Sequence, residues 1–323
     1  MTSIGRFTVV IPAYQRSEKL LNRCREILSW PRLQNLVISV DGPRLMATTE
    51  ELLRREGVIE AAKLVISANT NVDMYIWDDN RGVNTHTERF IRKLILLKKG
   101  IIVIEDDVSV SSKTLDFLAD NHDHKGSSGA AAHVSHSHMN FRATDARRTL
   151  FPLQWGQAIS YEAMEMYLSI MDGDPILRKP IEKSIKEIYG QVLTARKLEL
   201  LTQWWFNHFF FCFRHGNWAD ALVQYSVMAV GGHYRVPAQS LVIDDSNFFD
   251  ERAITPRAPV KNDLVCSFAI SNELKSEYSC FKCDFDNSHI EEATIRNLLG
   301  ATKHRRYLLL KEGLTRLKIS FHN

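Results

Sequence analysis

The chain has 323 residues, of which 45% are hydrophobic and 24% are charged, and this balance is typical of a soluble globular protein. The length suits one large α/β domain with an extension, or two small domains. A formal net charge of +3 argues against a strong polyanion binder, so we expect no nucleic-acid partner. The sequence lacks a secretory signal and an apolar run of about 18 residues, which favours a cytoplasmic protein that does not span a membrane.

Up to about residue 124, short apolar segments alternate with amphipathic ones. Strands are predicted at residues 6–14, 35–42 and 72–80, and in the apolar stretch that begins at Gly100. Helices are predicted at residues 17–30, 48–63, 84–100 and 111–124, the third of them with a glycine stop. This alternation predicts βαβ units and a mostly parallel sheet flanked by helices.

The pattern loosens in the second half of the chain. We predict a strand at 129–141, a strand or turn followed by a helix at 153–171, an aromatic-rich helical region at 175–215, and a strand followed by a loop at 232–245. Beyond about residue 250 the chain is irregular up to a final helix, which carries six basic residues and one acid between Lys303 and Lys318. That helix is open to two interpretations, a solvated face with leucines packed inward or an amphipathic helix resting on an anionic membrane.

The five cysteines are scattered along the chain, which argues against a disulfide framework and favours a reducing cytoplasm. Cys280 and Cys283 form a lone C-x-x-C pair. Without a second pair, this pattern is open to zinc binding, to redox chemistry and to two ordinary thiols.

Polar residues follow each predicted strand of the first half. Tyr14 and Arg16 follow the first strand, Asp41 ends the second, and the triplet 79–81 (Asp-Asn-Arg) follows the third. In parallel sheets the ligand crevice lies outside the carboxyl ends of the strands. We therefore expect these side chains to converge on one edge of the sheet.

Three acids, Glu105, Asp106 and Asp107, follow the fourth predicted strand without a break. Neighbouring carboxylates repel one another and are costly to bury, unless a divalent cation neutralises them. Mg²⁺ and Mn²⁺ prefer oxygen ligands, and Mg²⁺ often combines one or two carboxylates with substrate phosphates. The acids therefore predict a Mn²⁺ or Mg²⁺ site that takes a diphosphate.

Three reactions use such a site: sugar transfer from a nucleotide-sugar, phosphate hydrolysis by an aspartyl nucleophile, and nucleotidyl transfer. Glu105 stands where an aspartyl phosphatase would need Asp, which disfavours hydrolysis. The sequence contains no G-x-x-x-x-G-K-[ST] motif, and no G-x-G-x-x-G follows the first strand. These patterns argue against a P-loop protein and a dinucleotide-binding protein.

Four segments resemble motifs of the GT-A glycosyltransferases, such as the large inverting group called family 2. They are FTVVIPAYQRSEKL, ISVDGPR, DNRGVNTHTERFI and IVIEDDVSVSSKTLDFL, the last resembling the metal-binding D-x-D strand in an E-D-D form close to the N-acetylglucosaminyltransferase I type. The resemblance implies a Rossmann-like α/β GT-A domain at 1–250, with a nucleotide-binding half at 1–125 and an acceptor half at 126–250. A helical and irregular extension would follow at 251–323.

The resemblance also implies roles in binding the donor. The residues that would line the nucleotide pocket are Pro12, Ala13, Tyr14 and Arg16. Asp41 would accept a hydrogen bond from the base, and Arg81 would lie near the base or the diphosphate. Asp107 would bind the metal, Asp106 would contact metal or ribose, and Glu105, which departs from the plain D-x-D, would contact the nucleotide.

In the second half, the resemblance places Trp155 and Gly156 near the donor sugar and makes Asp220 the general base. His233 and His215 are candidates for a third metal ligand. A purely structural role is the alternative for three of these residues: Asp41 as a turn former, Trp155 as a packing residue, and Asp220 as a carboxylate favoured by a helix N-terminus. Three further tryptophans are open to acceptor stacking or to core packing, namely Trp204, Trp205 and Trp218.

The expected function is metal-dependent transfer of a hexose or N-acetylhexosamine from a UDP-sugar to a glycan or lipid-linked glycan, with inversion, in the synthesis of a bacterial surface polysaccharide. Such a protein would be cytoplasmic or peripheral on the inner face of the membrane. A nucleotidyltransferase is one alternative, although PAYQRSEK lacks the Gly-rich loop of that class. A non-catalytic glycan-binding or nucleotide-binding protein on the same fold is the other alternative.

Overall fold

The computed structural model describes most of the first 244 residues. The described ranges are 6–123, 126–133, 146–149, 153–174, 178–190, 194–196, 198–199, 201–202, 219–238 and 240–244. Several predictions fall outside them, namely those for His215, Trp204, Trp205, Trp218, Cys280, Cys283 and the basic C-terminal helix. The boundary at residue 250 and the extension at 251–323 also stay predictions.

Ten strands and seven helices are labelled here in chain order. Strands β1 to β10 span Phe7–Ala13, Leu33–Val40, Val72–Ile76, Ile101–Val103, Val108–Ser109, Ser127–His133, Arg147–Thr149, Leu153–Ile159, His233–Val236 and Ile243–Asp244. Helices α1 to α7 span Ser17–Leu28, Thr49–Ala68, Val83–Leu94, Ser112–Asn121, Tyr161–Met171, Arg178–Tyr189 and Ala219–Ala229. A 3₁₀ turn at Ile95–Leu97 follows α3.

The described residues build one eight-stranded sheet in the order β3-β2-β1-β4-β8-β6-β9-β7. Strands β7 and β8 run opposite to the other six. A separate two-stranded ribbon pairs β5 with β10. The prediction of an α/β fold with a mostly parallel sheet and flanking helices is therefore confirmed.

Alternate residues of the central strands are buried on opposite faces of the sheet. In β1, Val10 belongs to one apolar cluster, while Val9 and Ile11 belong to another. The first cluster also contains residues of α3, α5, α6 and α7, and the second contains residues of α1, α2 and α4. Helices thus cover both faces, which explains why these strands are apolar throughout instead of alternating with polar residues.

Several element boundaries differ from those predicted. Helix α2 continues to Ala68 instead of ending at residue 63, and α3 ends at Leu94. The predicted glycine stop at Gly100 is wrong, because Lys98 takes the left-handed conformation (φ 50°) after the 3₁₀ turn. Strand β3 ends at Ile76, so residues 77–80 form a loop at the edge of the sheet.

None of the helices in the described part of the chain combines the length and the apolar character needed to cross a bilayer.

Candidate functional site

The carboxyl ends of β1, β2, β3 and β4 lie side by side at one edge of the sheet. Backbone hydrogen bonds join them beyond the regular pairing: Asp41 N donates to Ala13 O (3.0 Å), Trp77 N to Val40 O (3.1 Å), and Ile104 N to Val10 O (2.9 Å). The loops that carry the polar residues therefore start from a rigid frame. This edge is the crevice that a parallel sheet offers to ligands.

Asp106 and Asp107 follow β4 in a tight turn closed by Val108 N, which donates to Glu105 O (3.1 Å). Each carboxylate side chain is only 8% exposed. One nitrogen of Arg16, Nη1, lies 2.8 Å from Oδ1 of Asp106 and 2.8 Å from Oδ2 of Asp107. The two acids thus share a single position for a cation, at the carboxyl end of the sheet.

The environment of Asp106 opposes its negative charge. Burial raises the pKa of this carboxyl to about 6, although the Arg16 guanidinium acts in the opposite direction. Glu105 is half-buried, whereas Asp106 and Asp107 are buried. The three consecutive acids therefore differ in burial, and the contacts of Asp106 and Asp107 with Arg16 define the shared position.

These acids fit a hard divalent cation as a partial ligand set. They offer carboxylate oxygens, which Mg²⁺ and Mn²⁺ prefer, at a site that already holds a positive group. Within the described ranges, no cluster of three or more His, Cys, Asp or Glu side chains is arranged to hold a metal ion. The remaining coordination positions would fall to phosphate oxygens and water, as is usual for Mg²⁺.

Asp41 lies at the other end of the crevice and is held in a fixed orientation. Its Oδ1 accepts from Gly42 N (2.8 Å), and its Oδ2 accepts from Nδ2 of Asn80 (2.8 Å). Asn80 Oδ1 in turn accepts from Gly82 N (3.0 Å), so both ends of the amide have partners. Burial raises the pKa of Asp41 to about 6.

Behind Asp41 lies a buried histidine that the sequence analysis did not single out. His86 Nε2 is 2.8 Å from Ser39 Oγ, and that oxygen also accepts a hydrogen bond from Trp77 Nε1 (3.0 Å). The direction of the hydrogen bond between Ser39 and His86 depends on the tautomer of the imidazole, whose Nδ1 lies 3.9 Å from Asp41 Oδ2. The available signal was the position of His86 in the first turns of the helix that follows the third strand.

His86→Gln should change how stability depends on pH, because Gln keeps a polar contact to Ser39 but does not titrate. Burial lowers the pKa of His86 from 6.5 to about 4. The stability contributed by the neutral imidazole is therefore fully present above pH 6.5 and is lost as the pH falls towards 4. Relative to wild type, the free energy of unfolding of the variant should rise by about 3 kcal/mol over that interval. Urea unfolding at several pH values measures this difference.

Asp41 titrates in the opposite sense, since its raised pKa adds stability as the pH falls from about 6 towards 3.8. That contribution is present in both proteins and cancels in the comparison. Parallel stability curves for wild type and His86→Gln would contradict a neutral, desolvated His86.

The other residues predicted for the nucleotide pocket lie at the ends of β1 and β3. Ala13 is buried and Pro12 is partly exposed. The Tyr14 hydroxyl donates to Glu51 Oε1 (2.7 Å) and accepts from Arg44 N (3.3 Å), which ties β1 to the start of α2. The Arg81 side chain is 68% exposed and pairs with Asp79 on the surface.

The structure places Trp155 and Gly156 in the packed interior of β8. Gly156 has φ 71°, and a Cβ there would lie 3.4 Å from Ile104 Cδ1 and 3.4 Å from Val242 Cγ1. Trp155 is partly buried against the same apolar cluster as Val242. Apolar side chains therefore surround the Gly156 position and contact Trp155, and the role of both residues near the donor sugar stays a prediction.

The predicted third metal ligand His233 is not brought to Asp107. It begins β9 and pairs with Ser127 at the start of β6, so it lies at the amino edge of the sheet, opposite the acids. Its Nδ1 is 3.8 Å from Glu187 Oε1, and burial lowers its pKa to about 4. Asp220 lies in the first turn of α7, but its side chain is outside the described part of the structure.

A cleft of about 520 Å³ opens beside Arg16, between the starts of α1 and α2. It is lined by Gln15, Arg16, Ser17, Glu18, Lys19, Glu50, Leu53, Arg54 and Gly57. Arg16 thus borders both the carboxylate pair and an open space next to it.

No protein-family model matches the chain, and no curated protein matches it in sequence. Among solved structures, it is similar to a mannosyltransferase from Pyrobaculum calidifontis in complex with GDP-Man and Mn²⁺ (12% identity, TM-score 0.37, 51% of this chain and 47% of that one). It is also similar to GalNAc-T7 with UDP, GalNAc and Mn²⁺ (12% identity, TM-score 0.43, 74% of this chain and 43% of that one). A third similar structure is that of a cytidylyltransferase from Leptospira borgpetersenii (13% identity, TM-score 0.34, 51% of this chain and 65% of that one).

The matched part spans less than half the length of the mannosyltransferase and of GalNAc-T7. These identities and TM-scores are too low to assign a family or an activity to this chain. The structure itself defines an α/β protein with a mostly parallel sheet and an acidic crevice at its carboxyl edge.

Proposed function

We propose that this protein is a metal-dependent glycosyltransferase that moves a sugar from a nucleotide-sugar, a UDP-hexose or UDP-N-acetylhexosamine, to a glycan acceptor. The observation that carries the proposal is the buried pair Asp106 and Asp107, which shares one cation position at the sheet edge where Asp41 also lies. Four motifs that resemble those of GT-A transferases meet at this edge. Two of the similar structures are glycosyltransferases and one is a cytidylyltransferase, so these likenesses do not separate the proposal from its rival.

In this proposal the two ends of the crevice bind different parts of the donor. Asp41, held by Gly42 and Asn80, accepts a hydrogen bond from an imide N–H of the base. Asp106 and Asp107 hold the cation, and Arg16 lies close enough to contact the diphosphate. A bound Mn²⁺ or Mg²⁺ would supply Lewis-acid stabilisation of the leaving nucleoside diphosphate.

The acceptor hydroxyl needs a base within hydrogen-bond reach, and we propose Asp220 for this role in a single inverting displacement. Its position in the first turn of α7 also agrees with the alternative, a carboxylate that only stabilises the helix N-terminus. The two roles make different demands. A base is required for turnover, whereas a helix-end carboxylate affects folding alone.

Asp220→Asn should lower kcat for sugar transfer by about 100-fold or more if Asp220 is the base. The free energy of unfolding should fall by only about 0.3–1 kcal/mol, since Asn keeps the shape of the side chain. Steady-state kinetics and urea unfolding on one preparation measure both quantities. Asp172→Asn, which removes an exposed carboxylate at the end of α5, is the matched control. Turnover of Asp220→Asn near that of wild type would remove Asp220 from the base role.

We further propose that the acceptor is a bacterial surface glycan on a lipid carrier, and that the protein works in the cytoplasm or at the inner face of the membrane. This part rests on the resemblance and on the basic stretch from Lys303 to Lys318, which lies outside the described residues.

The test is hydrolysis of nucleotide-sugars without acceptor. Wild-type protein is incubated with Mn²⁺ and a panel of UDP-, GDP- and CDP-sugars, and release of the nucleoside diphosphate is followed. The proposal expects slow release from a UDP-sugar that Asp107→Ala does not catalyse. Pyrophosphate release from a nucleoside triphosphate and a sugar phosphate would identify the nucleotidyltransferase instead, and binding without any turnover would identify a non-catalytic protein.

A further inference from the structure

Arg16 occupies the position between Asp106 and Asp107. A single nitrogen, Nη1, contacts an oxygen of each carboxylate at 2.8 Å, and the side chains are 16%, 8% and 8% exposed. The arrangement places one positive charge between two negative ones in a poorly solvated site. Each acid alone would be costly to bury as a carboxylate, so the guanidinium stabilises both of them.

A divalent cation held by the same two oxygens cannot coexist with this arrangement. Mg²⁺ binds carboxylate oxygens at about 2.0–2.1 Å, which is shorter than the contacts made by Arg16. A metal between the acids would therefore take the space of Nη1, and its charge would repel the guanidinium. Binding of the cation requires that Arg16 leave.

The surroundings of Arg16 allow such a departure. Its backbone lies between β1 and the first residue of α1, so the side chain stays anchored at the crevice. The same side chain borders the cleft of about 520 Å³ between α1 and α2. A guanidinium that leaves the acids thus has an open cleft next to its own residue.

We propose that Arg16 is an exchangeable counter-ion: it neutralises Asp106 and Asp107 when no cation is bound, and it moves to the donor's diphosphate when the cation takes its place. This inference rests on the proposed function, because it takes the diphosphate as the second partner. A planar guanidinium pairs well with phosphate oxygens, so the exchange replaces one charge-assisted contact by another.

The exchange couples the two ligands. In wild type, the cation alone must break the contacts of Arg16, so it binds weakly, and a nucleoside diphosphate that receives Arg16 strengthens its binding. By linkage, the cation strengthens nucleotide binding by the same factor. Without the guanidinium the cation meets two acids that have lost their contact with Arg16, and the nucleotide has no displaced group to receive.

The experiment measures Mn²⁺ binding by electron paramagnetic resonance, with Mn²⁺ alone and with Mn²⁺ plus UDP, for wild type and Arg16→Ala. We expect Mn²⁺ alone to bind Arg16→Ala at least about tenfold more tightly than wild type. UDP should tighten Mn²⁺ binding at least about tenfold in wild type and less than about threefold in the variant. Arg54→Ala, which removes another cation from the same cleft, should behave as wild type.

Equal Mn²⁺ affinities for Arg16→Ala and wild type in the absence of nucleotide would overturn the inference. This arm contains no nucleotide, so it is independent of the proposed function, which fails instead if wild type binds no nucleoside diphosphate with Mn²⁺. An Arg16→Ala protein that folds only when Mn²⁺ is present supports the exchange. If Arg16→Ala does not fold with or without Mn²⁺, Arg16→Gln takes its place, because glutamine is a long polar side chain without a charge. The Mn²⁺ affinity of Arg16→Gln is then compared with that of wild type in the same way.

Discussion

Asp107→Ala is expected to lower kcat/KM for sugar transfer by at least about 100-fold and to remove Mn²⁺-dependent nucleotide binding. The Asp107 side chain is 8% exposed and supplies one of the two oxygens that converge on the cation position. Its removal leaves Asp106 as the remaining acid at that position. One carboxylate is a poorer site for a divalent cation than two.

The control for this prediction is Asp120→Ala. Asp120 is an exposed acid of α4 that pairs with Arg32 at 2.8 Å, and exposed pairs contribute little to stability. Kinetics and calorimetry on both variants, with unfolding curves to establish that each is folded, separate a local effect from loss of structure. Asp107→Ala with the metal dependence of wild type would contradict the assignment of the cation to this acid.

Gly42→Ala is expected to destabilise the protein by about 3 kcal/mol or more. A Cβ at residue 42 would lie 2.1 Å from the backbone carbon of Asp79 and 2.3 Å from its oxygen, so the backbone itself must move. Gly42 and Asp79 carry the loops at the ends of β2 and β3. Separating them would also break the hydrogen bond from Asn80 to Asp41, so nucleotide binding should weaken together with stability.

Gly57→Ala is the matched control, since it introduces the same methyl group into α2. The nearest atom to a Cβ at that position is Ser17 Oγ at 3.8 Å, which is an ordinary contact. Alanine is the better helix former, so this variant should gain about 0.5–1 kcal/mol. Urea unfolding of the two variants checks both signs, and a tolerated Gly42→Ala would contradict the close approach of the two loops.

Much of the fold could be predicted from the sequence because the relevant signals are local. The apolar runs of β1, β2 and β4 indicate strands buried on both faces, and the helices between them require a parallel sheet. The carboxyl ends of such strands must share one edge, which is why the sequence alone places Asp41 and Asp107 in one crevice.

The parts that could not be predicted depend on contacts between distant residues. Arg16 and Asp106 are 90 residues apart, and His86 and Ser39 are 47 apart, so no periodicity reports either contact. The surroundings of Gly156 and His233 in the sheet were equally hidden in the sequence. A glycine with positive φ suits a packed bulge as well as a ligand, and a histidine on a strand carries no sign of which sheet edge it will occupy.

The central claim is that the crevice binds a nucleoside diphosphate together with a divalent cation. Calorimetric titration of wild type with UDP, GDP and CDP, each with Mn²⁺ and with a chelator, tests it most directly. The account predicts binding of UDP that is at least about tenfold tighter with Mn²⁺ than with the chelator. Absence of binding by all three nucleotides in the presence of Mn²⁺, or an affinity that the cation does not change, would contradict it.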